Sequence, residues 1–264
     1  MGALAWLPWA DAAWWRAVVE RTAPDADGPA SGWCAGARLS GDTFCPDGAA
    51  PAWVLWLPVA LGVALVAIPP LWRLVRIGVT LVHELGHAVV GVLVGRRFTG
   101  FVVRGDMSGH AVTVGKRRGP GLALTTWAGY PMPALVGAGL VWVALAGWAP
   151  LLLLLVALGC VVTLPFVRSW TTAGVTLLVG LAAGALWWWR SDARSVTVVL
   201  VVAAVLVLGA WRHWAAVAPS PRGSDPAELA RQTGWPGWFW VGTQLVVIAA
   251  ATALAGWLLW RSFA

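Results

Sequence analysis

The chain has 264 residues, of which 59% are hydrophobic and only 11% charged, at a mean hydropathy of +0.76. Soluble domains carry about 25% charged residues, so this composition excludes an ordinary soluble fold and points to an integral membrane protein. The net charge of +7 is scattered between apolar runs, which reads as loop charge and excludes a nucleic-acid footprint.

Residues 1–20 lack a basic start and contain Asp11 and Arg16, so they read as an interfacial helix and not as a signal peptide. Glycines and prolines punctuate 21–50. Cys34 and Cys45 lie there and could form a disulfide facing an oxidising compartment, whereas Cys160, in an apolar run, reads as packing. The chain thus divides into an N-terminal extramembrane segment, 1–51, and a transmembrane domain, 52–264.

Apolar segments of spanning length follow near 52–72, 74–95, 122–147, 150–167, 171–189, 196–214 and 236–260. The expected fold is an all-α polytopic membrane protein with about six to seven transmembrane helices. Pro69-Pro70 ends or kinks the first span. Many of the 22 tryptophans sit near segment ends, as anchors at headgroup level. Residues 97–120 break the pattern. Phe101-Val102-Val103 and Ala111-Val112-Thr113-Val114 read as strands joined by turn chemistry at Gly105 to Gly109, a short β-hairpin. Lys116 is the sole lysine and asparagine is absent. This bias resembles a high-GC bacterial coding sequence and suggests a bacterial cytoplasmic membrane.

The second apolar run carries His83-Glu84-Leu85-Gly86-His87, in a chain with only four His and three Glu. Two histidines four apart share one helix face and can bind one metal ion. Glu84 is placed to act as a general base on metal-activated water. A carboxylate at membrane depth costs about 2.5–3.5 kcal/mol on insertion scales, so an intramembrane Glu marks function.

A catalytic zinc takes three protein ligands and keeps one position open. The third candidates are Asp106, His110, Asp225 and His213. Asp106 and His110 also read as hairpin-turn residues, and His213, between Arg212 and Trp214, as an interfacial histidine. Asp225 opens Ser224-Asp225-Pro226-Ala227-Glu228, which equally reads as a helix start with Asp225 as N-cap, Pro226 at N1 and Glu228 at N3.

These motifs resemble the site-2-type intramembrane metalloproteases of peptidase family M50, most closely an M50B-like actinobacterial branch. The matching stretches are His83 to Ala88, Gly95-Arg96-Arg97, Asp106 to Gly109, Ala128-Gly129-Tyr130-Pro131 and Ser224 to Pro236. The resemblance spans about residues 74–260. It implies a zinc peptidase that cuts membrane-associated peptide substrates, with Zn2+ on His83, His87 and Asp225 and Glu84 as base. Asp225 stands in for an aspartate that the family usually sets in Leu-Asp-Gly, a sequence missing here. The family hairpin offers an edge strand to substrate, a part open to residues 100–114. The family also places an Asn near the scissile carbonyl. With no Asn in this chain, Gly129 and Tyr130 are the substrate-binding candidates, and packing is the other reading of Tyr130. Gly129, Pro131 and Pro133 would interrupt a helix and let backbone approach the site.

The competing reading is a non-catalytic membrane protein of the same fold with a structural or regulatory metal site. A metal transporter would need further intramembrane carboxylates, which the spans almost entirely lack. No nucleic-acid partner is expected, only the lipid bilayer and a membrane-associated peptide.

Overall fold

Long runs of Val, Leu and Ala without charge satisfy their backbone internally by forming helices. In the computed structural model of the protein, the described residues are 53–103, 109–167, 170–189, 192–220 and 222–261. The N-terminal segment, with the interfacial helix and the Cys34–Cys45 pairing expected for it, lies outside them, as does Asp106.

The elements in chain order are α1 (Trp53–Ala67), α2 (Pro69–Leu93), β1 (Arg97–Val103), β2 (Gly109–Val114), α3 (Pro120–Trp127) and α4 (Met132–Leu145). They continue with α5 (Ala149–Thr163), a 3-10 turn (Leu164–Phe166), α6 (Trp170–Trp188), α7 (Asp192–Val217), α8 (Asp225–Thr233) and α9 (Gly237–Arg261). Chain contacts divide them into two units. One joins Ala52–Trp142, Phe166–Gly174 and Leu200–Ala264; the other includes Val143–Pro165 and Val175–Val199.

Among the described residues three helices are long and apolar enough to cross a membrane: α2, most of α7 (Arg194–Val217) and α9. The count reaches four when α3 and α4, bent by 65° at their junction, are taken as one broken span. Six to seven were expected from the sequence, and among the described residues only these are long enough. The run near 52–72 stops at Ala67, and Pro69 and Pro70 begin the next helix instead of closing the first, since proline fits a helix's first turn but not its interior. The segments Trp56–Ala67, Ala149–Thr163 and Ala173–Trp188 remain as shorter apolar helices.

β1 and β2 pair antiparallel from Arg97↔Val114 to Val103↔Gly109, with an irregularity between Phe98 and Gly100. The connecting residues 104–108 are not among those described. Both strands pack against α2, and Arg96 Nη1 donates to the Lys116 carbonyl at 2.8 Å. This closes the base of the strand pair. Among the described residues no third strand pairs with them, so each presents an open edge there.

In the first unit, Val66, Trp72, Val79, Val205 and Leu206 form a buried core with Val136 and Leu140 against it, joining α1, α2, α4 and α7. Small residues permit the close approach. A Cβ at Gly62 would stand 2.4 Å from Ala204 Cβ, one at Gly137 2.9 Å from the Ala203 carbonyl, and one at Gly209 2.6 Å from Val79 Cγ2. In the second unit the same device lets Gly180 of α6 meet Cys160 of α5, so Cys160, a free thiol, fills a helix contact.

Candidate metal centre

His83 and His87 project from one face of α2, ring centroids 4.8 Å apart. Their Nε2 atoms are 3.2 Å from each other. Asp225 Oδ2 stands 3.2 Å from His83 Nε2 and 3.3 Å from His87 Nε2. The three donors therefore form a nearly equilateral triangle. Zinc bonds of about 2.0–2.2 Å arranged as a tetrahedron separate donor atoms by about 3.3–3.5 Å, so the triangle fits such an ion.

The surroundings agree with a cation at its centre. His87 Nδ1 donates to the Thr125 carbonyl at 2.7 Å. That bond places the ring proton on Nδ1 and leaves Nε2 a bare lone pair. Asp225 Oδ2 is buried and makes no hydrogen bond among the described residues, a costly arrangement for a carboxylate unless a positive charge sits beside it. Burial alone would push the Asp225 carboxyl up, but pairing with His83 and His87 holds it below the usual carboxylate range.

Asp225 is the first residue of α8, with Ser224 as N-cap and proline in the first turn. The N-cap position thus falls one residue earlier than the sequence suggests, and the Asp225 side chain turns toward α2. Gly234, at φ 78°, ends α8 in the left-handed region. Pro226 and Leu229 bury its inner face.

Glu84 follows His83 directly and is 9% exposed. His213 stands edge-on to Trp72 at 5.4 Å, with the Arg212 guanidinium over the same indole. It belongs to that packing and not to the donor group. Of His110 only the backbone is described, in β2 opposite Val102.

The break between α3 and α4 lies on the histidines. A Cβ at Gly129 would fall 2.5 Å from His87 Nε2 and 2.6 Å from His83 Cε1; one at Gly86 would fall 2.8 Å from the Ala128 carbonyl. The Tyr130 ring stands edge-on to His83 at 4.7 Å.

Three further residues support the centre without a motif to announce them. Thr125 acts through its backbone carbonyl, which carries no side-chain signal. Gln232 Nε2 donates to Thr126 Oγ1 at 3.2 Å and to Glu228 Oε1 at 3.1 Å. Gln244 Nε2, buried in α9, donates to the Trp127 carbonyl at 3.2 Å. These are the chain's two glutamines, and both hold the last turn of α3. An amide inside an apolar span was the available clue to Gln244.

No curated protein and no solved structure gives a significant match. Residues 56–256, most of the chain, match the family described as Peptidase M50B-like. On that match, and with the spanning helices already described, the chain belongs to the Peptidase M50B-like family.

Proposed function

We propose that this protein is an intramembrane zinc metalloprotease that hydrolyses peptide bonds of membrane-associated substrates. The observation that carries the reading is the convergence of His83, His87 and Asp225 on one point beside Glu84. His83, His87 and Asp225 would hold the ion. When bound, zinc supplies Lewis-acid polarisation and lowers the pKa of a water toward 7. Glu84 takes a proton from the attacking water and delivers it to the leaving amine. Thr125 keeps His87 in the tautomer that presents Nε2. The strand pair offers an edge along which a substrate backbone can be held extended.

On this reading the shorter apolar helices also lie in the bilayer, giving six to seven crossings of a bacterial cytoplasmic membrane. Gly129 and Tyr130 face the substrate.

The test is zinc stoichiometry on detergent-purified protein, with Glu84→Gln, His83→Ala and Asp225→Ala beside wild type. Wild type and Glu84→Gln should hold about one zinc per chain, and the other two none. Cleavage of a peptide with one apolar segment should disappear in all three variants. Full cleavage by Glu84→Gln would sink the mechanism. Zinc retained by Asp225→Ala would move the third ligand elsewhere. A wild type that keeps metal but never cleaves would favour the non-catalytic reading.

A further inference from the structure

Tyr130 is the chain's only tyrosine, and it sits where the backbone crosses the donor nitrogens. Gly129 presses on the imidazole edges so closely that a Cβ would meet His87 Nε2. The following residue therefore starts at the rim of the donor triangle. Pro131 and Pro133 are fully buried, and their rings fix the backbone direction on leaving the break. The phenol is held edge-on to His83, at an interplanar angle of 85°.

The other donors of the break are already committed. Thr125 Oγ1 donates to the Gly121 carbonyl and Thr126 Oγ1 to the Leu122 carbonyl. The Trp127 indole N–H donates to Thr243 Oγ1. Among the described residues the Tyr130 hydroxyl has no hydrogen-bond partner. The hydroxyl is not one of the fully buried unpaired polar atoms, so it is open to an acceptor that arrives from outside the chain. His83, His87, Asp225 and Glu84 leave the centre rich in lone pairs and carboxylates, and the other side-chain donors of α3's last turn are bonded elsewhere.

We propose, resting on the proteolytic reading above, that the Tyr130 hydroxyl donates a hydrogen bond to the carbonyl oxygen of the scissile peptide as that oxygen gains negative charge. No proton is transferred: the phenol keeps its hydrogen, and the edge contact with His83 keeps the donor in place before substrate arrives. A fixed donor of this kind contributes roughly 10²–10³-fold to kcat.

The deciding comparison is wild type with Tyr130→Phe, which removes the hydroxyl and keeps the ring, and with Tyr130→Ala, which removes both. Each is loaded with cobalt and titrated with acetohydroxamate, whose anionic oxygen stands in for the charged carbonyl oxygen. Metal content is measured in parallel. The expected result is full metal content in Tyr130→Phe with acetohydroxamate bound roughly 10- to 100-fold more weakly, the loss of one hydrogen bond to a charged group. Equal affinity in wild type and Tyr130→Phe overturns the assignment and leaves the ring a packing role. Loss of metal in Tyr130→Phe also overturns it, because the hydroxyl would then support His83 and not the substrate. A wild type that takes up no metal fails at the metal reading itself, before the comparison between variants begins. In a wild type that cleaves, Tyr130→Phe lowers kcat and leaves KM in place, and an unchanged kcat overturns the proposal.

Discussion

Gln232 Nε2 reaches Thr126 Oγ1 across 3.2 Å, and this bond ties the helix that carries Asp225 to the helix turn that holds His87. Thr125, one residue before Thr126, gives its carbonyl to His87 Nδ1. One turn of α3 therefore sets the spacing between donors that arrive from two separate elements.

Removing that tie should loosen the third donor while sparing the fold. Gln232→Ala is expected to weaken zinc binding about three- to tenfold, the worth of one hydrogen bond. Competition against a chelator of known affinity measures it. Thr126→Val should have the same effect, and the double variant should add little to either. Fully additive losses would show that the two side chains act separately.

Gly129→Ala tests the crossing of the break over the histidines. The new methyl would overlap His87 Nε2 and His83 Cε1, and overpacking of this kind costs about 1–3 kcal/mol. Zinc content should collapse. Gly139→Ala, in α4 with nothing within 4 Å of its added Cβ, is the control and should retain metal. Normal zinc in Gly129→Ala would mean that the break can move aside freely.

Gln244→Met keeps the volume of a fully buried side chain and deletes its bond to the Trp127 carbonyl. The expected loss is about 0.5–1.5 kcal/mol, read by thermal unfolding in detergent. Zinc stoichiometry should stay near wild type, because the Trp127 indole remains bonded to Thr243.

Glu228 offers a small pH effect. Arg231 and then Gln232 hold its carboxyl below the ordinary value. A depressed carboxyl adds stability above its unfolded pKa and loses it as pH falls through the lower folded value. The pair is solvent-exposed, so Glu228→Gln should flatten the acid limb of the stability curve by no more than a few tenths of a kcal/mol. A larger change would mean that Glu228 reaches the centre beyond Gln232.

What the sequence made legible follows local periodicity. His83 and His87 shared a face by spacing alone, and Gly129, Pro131 and Pro133 marked an interruption where the 65° bend occurs. Asp225 was ambiguous because its neighbours spell a helix start as well as a ligand. A helix does start there, and only the tertiary approach of α8 to α3 turns the Asp225 carboxylate toward α2. The span count went beyond the long helices because hydropathy scores a short apolar helix as it scores a spanning one, and three such shorter helices were counted with them. Thr125 was invisible, since its contribution is a carbonyl that every residue possesses.

The order of the donors along the chain has a consequence for biogenesis. During synthesis His83 and His87 emerge first, and Asp225 appears only after α5, α6 and α7 have been made. A nascent chain halted before α8 carries two donors and lacks the third. The donor triangle therefore closes late, after the intervening helices have left the ribosome, and until then the chain lacks the complete site on which the proposed function rests.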